Sequence, residues 1–351
     1  MRFKNYVITH WKLILNYASI AAIIVLIFAL RHQLAQTLDE LKRVNAILLL
    51  LLIPIQLWNY YAQARLFQTL LRVLGNKLKL NYLLKVSLEL NFVNNVFPSG
   101  GLSGASYFAA RIRSDKITVG RATFTYVMKL FMIFFAFQIL VVAGLAMLAL
   151  NGSVNGFVIF TASFSSAVIV IGSLLFIYII GSETRITHTF TFITKVLNRL
   201  IKIIRTQHPE TINLEKARFV FNDFHENYNL LKSKFPELKK PLYYGFLNNF
   251  TELLSIYVVY LAFGHWVNPG AIILAYAIAN FAGLIAVLPG GIGVYEAMMV
   301  AVMVAAGVPA ELSLSATIMY RVVNTAIQMP PGYYFWHKRL RHEKKVVDGN
   351  S

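Results

Sequence analysis

The sequence predicts an all-α fold: a polytopic transmembrane helix bundle of about six full spans, plus two broken or re-entrant helical hairpins in an inverted repeat. Three observations carry that expectation. Hydrophobic residues make up 57% of the 351 and charged residues only 14%, with a mean hydropathy of +0.60; soluble domains hold about a quarter charged residues. Several windows run roughly 18 or more residues with few or no charges, the length that crosses about 30 Å of hydrocarbon. Two further apolar stretches are interrupted by proline and paired glycines, the residues least suited to a helix interior.

In chain order, the first window is 13–30, preceded by Arg2, Lys4 and Lys12. It is long for a signal-peptide core and no A-x-A site follows, so it reads as an uncleaved span. The second window is 44–64. Residues 81–112 form the first broken hairpin, in which "NFVNNVFPSGG" at 91–101 leads into a break over Pro98, Gly100, Gly101 and Gly104. Spans at 122–150 and 157–180 follow. In 181–240, Ile193, Val196, Leu197, Leu200, Ile201 and Ile204 make one apolar stripe, while Lys195, Arg199, Lys202 and Arg205 point away, the pattern of an interfacial amphipathic helix. A second such helix follows Pro209, with apolar residues from Leu214 to Phe235 alternating at three and four. After a span at 242–263 comes the second broken hairpin, 270–306. There "NFAGLIAVLPGG" at 280–291 leads into Pro289, Gly290, Gly291 and Gly293. The last span is 312–336, and residues 1–351 read as a single integral membrane domain.

The net charge of +18 is explained by where it lies. With the N-terminus cytoplasmic and each hairpin returning to its own side, 28 of the 33 Lys and Arg fall in cytoplasmic segments and three (Arg31, Lys42, Arg43) on the opposite side. That is the positive-inside pattern. The basic excess therefore means orientation and attraction to anionic lipid, and no nucleic-acid partner is expected. The same count places both termini in the cytoplasm. It opens the first hairpin, flanked by Lys77, Lys79, Lys85, Arg111, Arg113 and Lys116, to the cytoplasm. The second, flanked by no Lys or Arg, opens to the other side.

A single Pro-Gly-Gly could merely kink an ordinary span. Two, each preceded by Asn-Phe and entering from opposite faces, point to an inverted repeat whose site lies near the midplane. Irregular backbone is tolerated at that depth only beside protein or a wet cavity. Ionisable residues inside spans are costly and mark function by default. The sequence places Glu89, Glu252, Glu296, Lys129 and Arg321 there. Glu296 with Arg321 could be a structural pair, a head-group contact, or both. With the amides they form the candidate substrate-binding set: Glu296, Arg321, Glu252, Glu89, Asn280 and Asn91.

No cysteine is present, which excludes disulfides and thiolate chemistry. No G-x-x-x-x-G-K-[ST] occurs, and there is no D-x-D or histidine cluster. No catalytic residue, metal site or cofactor is therefore expected. Asp223, His225 and Glu226 do not share a helix face and read as solvated.

With "LPGGIGVYEAMM" (288–299), "FPSGGLSGASYFAARIR" (97–113) and "MYRVVNTAIQMPPG" (319–332), nearly the whole chain resembles the lysylphosphatidylglycerol synthase transmembrane family of flippase-like membrane proteins. The specific part is Pro289-Gly290-Gly291-x-Gly293-x-x-Glu296; the first motif departs from the family pattern by holding Ala105 and Ser106. In the best-known family architecture this region moves an aminoacylated phospholipid between leaflets and a separate C-terminal domain makes it. The sequence ends at Ser351 after a short basic tail, so the resemblance implies a translocator without the synthase domain. The leading expectation is a flippase for a charged-head-group lipid (phospholipid, aminoacyl-phospholipid or polyprenyl-linked lipid) in a bacterial inner membrane, acting without ATP hydrolysis. Membrane lipids are the expected partners, with a lipid synthase as a further one. Alternatives are a membrane-embedded lipid transferase, a noncatalytic subunit of an envelope-lipid pathway, and an ion-coupled carrier of a small anion.

Overall fold

The computed structural model describes residues 44–96, 102–113, 117–150, 156–204, 214–285 and 293–348. The expected span at 13–30 and the break residues Pro98, Gly100, Gly101, Pro289, Gly290 and Gly291 lie outside them. Every element among the described residues is helical. Asn45, whose side chain accepts from the backbone N–H of Ile47 at 3.1 Å, caps a short helix α1 (Ala46–Leu50), and α2 (Leu52–Val73) continues it. The first hairpin is α3 (Leu80–Val96) and α4 (Leu102–Ile112). Next come α5 (Val119–Leu150) and α6 (Gly156–Ile180), then α7 (Glu183–Ile204) and α8 (Leu214–Ser233). After a short 3₁₀ turn, α9 (Lys239–Ala262) leads to the second hairpin, α10 (Pro269–Ile285) and α11 (Val294–Ala305), and α12 (Ala310–Asp348) closes the chain.

Two contacts establish which way the hairpins face. Lys234, at the head of the 3₁₀ turn that leads into α9, donates to the carbonyl of Val73 at 3.2 Å, and Asn45 N–H donates to the carbonyl of Ala262 at 2.9 Å. α2 and α9 are thus antiparallel neighbours. α3 leaves from the Val73 end of the bundle and α10 from the Asn45 end, so the hairpins open at opposite ends. Their return arms hold 11 and 12 residues, about 17 and 18 Å at 1.5 Å per residue. Both fall short of the about 30 Å of hydrocarbon.

Each hairpin has its own core. Phe67, Phe108 and Tyr126 pack the first, with the Phe67 and Phe108 rings stacked at 4.2 Å. Ile256, Leu274, Val302 and Met303 belong to the larger cluster around the second. In lipid, close packing and interhelical hydrogen bonds hold such cores, because the tails outside are equally apolar.

Among the described residues three helical stretches are both long and apolar enough to cross a membrane: Ala46–Val73, Val119–Leu150 and Ala162–Ile180. That count does not reach the expected span at 13–30, which lies outside the described residues, and it passes over α9 for a physical reason. α9 is long enough at 24 residues, but Asn248, Thr251 and Ser255 are polar and turn inward. They meet polar residues of α2: Asn59 donates to the carbonyl of Asn248 at 3.1 Å and to Thr251 Oγ1 at 2.9 Å, and Gln56 Nε2 donates to Ser255 Oγ at 3.2 Å. Hydropathy averaged along a window cannot see that these groups face each other. α6 shows the opposite pattern, with Phe160, Ile171, Leu174 and Leu175 all exposed as lipid-facing side chains would be.

α8 packs on the bundle. Phe224 and Leu231 are buried, Thr118 donates to Asp223 Oδ2 at 2.6 Å, and Arg121 donates to Asn227 Oδ1 at 2.8 Å. The solvated face expected for Asp223 is therefore corrected: the carboxylate sits against the start of α5.

Candidate functional site

A cavity of about 420 Å³ lies between the two hairpins, within the range of pockets that hold small ligands. Asn95 of the first hairpin reaches it, as do Tyr276, Asn280 and Tyr295 of the second. α9 contributes Asn249 and Glu252; α12 contributes Tyr320, Arg321, Asn324, Thr325 and Gln328. The α12 residues follow i, i+3, i+4 and i+7 from Arg321, the spacing of one helix face. That polar stripe in an otherwise apolar span was the signal available for Gln328, which sequence reasoning missed together with Tyr276 and Tyr295.

Glu296 is built into the first turn of α11. Gly293 has φ +85°, a left-handed conformation that side chains rarely adopt. Its N–H donates to Glu296 Oε2 at 2.6 Å, so the carboxylate caps its own helix, as anions do at N-termini. The other carboxylate oxygen accepts from Arg321 Nη1 of α12. The Arg321 guanidinium also lies over the Tyr295 ring, 4.9 Å from its centroid, a favourable cation–π position. Charge-assisted bonds of this kind are about twice as strong as neutral ones. The pair joins the second hairpin to α12 at the cavity wall.

Glu252 faces the cavity and accepts from the Tyr320 hydroxyl at 2.8 Å. Asn280 is exposed and donates to the carbonyl of Tyr276 at 2.7 Å. Of the expected set, the cavity thus brings together Glu252, Arg321 and Asn280, with Glu296 directly behind Arg321. Glu89 and Asn91 do not line it. Asn91 sits one turn back, its carbonyl accepting from Asn95 Nδ2 at 2.8 Å.

Glu89 is held at the first hairpin by Arg111 Nε at 2.8 Å and the Tyr107 hydroxyl at 2.7 Å. Arg111, in turn, donates to the Tyr82 hydroxyl at 3.0 Å. Arg111 reads in the sequence as one more basic flank, and only the hairpin's return shows that it neutralises Glu89. The close return depends on Gly104, where a Cβ would overlap the Asn94 amide and the Tyr126 hydroxyl. Lys129 is buried apart from the cavity, over the rings of Phe67 at 5.1 Å and Tyr126 at 5.6 Å. Among the described residues no cluster of three or more His, Asp or Glu side chains could hold a metal ion.

The family model of the lysylphosphatidylglycerol synthase transmembrane region matches residues 14–332, which include both hairpins and the cavity. The chain belongs to this family. A UPF0104 membrane protein of Methanothermobacter thermautotrophicus is 36% identical over 73 residues, 21% of this chain and 22% of that protein. A second match of that description and organism is 30% identical over 111 residues, covering 30% and 32%. A UPF0104 membrane protein of Pyrococcus horikoshii is 25% identical over 131 residues, covering 36% and 39%. The matched stretch spans well under half the length of each of these relatives. As a member of the lysylphosphatidylglycerol synthase transmembrane-region family, the chain is an integral membrane protein.

Proposed function

We propose that this protein moves a lipid with a charged head group between the two leaflets, without nucleotide hydrolysis and without a covalent step on the lipid. The observation that carries the reading is the cavity reached by both hairpins, which open at opposite ends of the bundle. A head group held by Arg321, Glu252 and the surrounding amides would cross through the polar interior while its acyl chains stay in lipid. Exposure would alternate as one hairpin, then the other, moves against α12, the rocking expected of inverted repeats. The basic flanks favour a cytoplasmic position for both termini and, with the family, a bacterial inner membrane. A lipid synthase delivering the substrate at the first hairpin's mouth would be a natural partner.

The test is reconstitution of the full chain into vesicles with a panel of head-group-labelled phospholipids, aminoacyl-phospholipids and polyprenyl-linked lipids. Accelerated movement of at least one lipid is expected, falling about tenfold or more in Arg321→Ala, since one lost charge-assisted contact is worth about 1.5–3 kcal/mol. Folded protein that accelerates none of them would sink the proposal.

A further inference from the structure

The three acids that the sequence places inside spans are held in two different ways. Glu89 is bound by the Arg111 guanidinium at 2.8 Å, and Glu296 by that of Arg321. Glu252 makes no ion pair among the described residues. Its Oε2 accepts from the Tyr320 hydroxyl at 2.8 Å, and the Gln56 amide is a second neutral donor beside it. The residue is half-buried and lines the cavity.

Around Glu252 stand Tyr60 of α2, Tyr276 of α10, Tyr295 of α11 and Tyr320 of α12. Arg321 and Glu296, also near Tyr295, are bonded to each other. From α5 the cavity is met by Ile133, Phe134 and Phe137, none of them titratable, and α1 holds only apolar residues. An ionised carboxylate at membrane depth is costly without a cation, and the smallest cation that can supply the charge is a proton. An arginine beside a carboxyl favours its ionised form; neutral donors keep the side chain in place whether it is ionised or protonated. A metal cation would meet those same donors, and among the described residues no cluster of three or more His, Asp or Glu side chains could hold one.

We propose that Glu252 is a proton-carrying site, and that its protonation is linked to capture of an anionic head group, so that lipid and proton cross together. Charge sets the linkage. Arg321 and Glu296 sum to zero, so an ionised Glu252 leaves the cavity wall with one net negative charge. A phosphate at Arg321 then meets a repelling carboxylate across the cavity. With Glu252 protonated, it meets a neutral group that can donate a hydrogen bond. Head-group binding therefore favours proton uptake, and proton uptake favours head-group binding by the same factor. No bond on the lipid forms or breaks; the proton joins Glu252 from one compartment and leaves to the other. This inference rests on the reading of the cavity as a head-group site and adds how transport is driven.

The first test needs no transport. Infrared difference spectra of the purified full chain in detergent, recorded as the pH is lowered, should show a protonated-carboxyl C=O band that Glu252→Gln removes. Glu89→Gln and Glu296→Gln, at acids bound by arginine, should leave that band in place. Tyr320→Phe, which takes a hydrogen bond from the carboxyl, should move the band in frequency, and it keeps the test decisive if Glu252→Gln fails to fold. A band unchanged in both Glu252→Gln and Tyr320→Phe would overturn the inference. The second test uses phosphatidylcholine vesicles holding the full chain, a trace of acyl-labelled phosphatidylglycerol and a pH gradient of about one unit. One proton per singly charged lipid is electroneutral, so the label should gather about tenfold in the leaflet facing the alkaline side. With Glu252→Gln the two leaflets should stay equal. A label that stays put with the wild-type protein, or that moves without regard to the gradient, would overturn the linkage, whereas translocation itself stands or falls with the wider lipid panel.

Discussion

Each broken hairpin carries one buried Glu–Arg pair, and the two pairs differ in what they join. Glu89 and Arg111 stand on the two arms of the same hairpin, with carboxylate and guanidinium side chains 2% and 19% exposed. Glu296 and Arg321 are almost equally buried, at 5% and 17%, but they join the second hairpin to α12 across the cavity wall. Burial alone therefore does not separate a staple from a site. The first pair closes a local loop with Tyr82 and Tyr107 around it. The second ties down a hairpin that the proposed transport cycle would have to move, and Arg321 lines the cavity, where a ligand could compete with Glu296.

The largest expected effect follows from the first pair. Glu89→Ala strands Arg111 inside a closed hairpin and should destabilise the protein by about 3–5 kcal/mol, the cost of breaking a buried pair. Glu296→Ala strands Arg321 beside a cavity that water can enter, and should cost about 1–3 kcal/mol. Chemical denaturation in detergent compares them. Equal losses would mean that both pairs are staples and would break the distinction.

How much of this was legible in the sequence depended on whether the signal was local. The hairpins were legible because Pro-Gly-Gly acts on the backbone where it stands, and the second motif with Glu296 carried the family. A pairing of Glu296 with Arg321 could be entertained because both lie in apolar windows where a lone charge demands a partner. Arg111 was not legible as the partner of Glu89, since its value as a buried cation arises only when α4 folds back beside α3. The amide array was not legible either. Asparagine in a span says glue or site without distinction, and the difference lies in which amides the folded helices bring to one cavity. Gln328 did carry a signal, its spacing from Arg321, but four polar residues on one helix face stand out only once the face toward the cavity is known.

A smaller effect separates the turns of the two halves. Gly75, between α2 and α3, and Gly293, at the head of α11, both have positive φ, +83° and +85°, with open space where a Cβ would go. Alanine at either should cost about 1–2 kcal/mol from left-handed strain alone. Only Gly293→Ala should also slow lipid movement in vesicles, because Gly293 donates to Glu296 and sets its direction toward Arg321. Equal transport by the two variants would show that the cap of α11 does not matter to the site.

The smallest effect on stability should be the most selective for function. Arg111→Lys and Arg321→Lys each preserve the charge and give up the planar fork that addresses two partners at once. Each should cost about 1 kcal/mol or somewhat more, the net worth of one typical hydrogen bond. At Arg111 that loss falls on the bond to Glu89 or to Tyr82 and stays within the hairpin, so transport should hold at the wild-type rate. At Arg321 the guanidinium binds Glu296, lies flat over Tyr295 and faces the cavity. Lysine can serve the carboxylate but cannot keep that planar stacking and meet a ligand as well. Transport by Arg321→Lys is therefore expected to fall about tenfold at nearly unchanged stability. A parallel fall in Arg111→Lys would place the first hairpin's pair in the transport cycle and remove the contrast between the two halves.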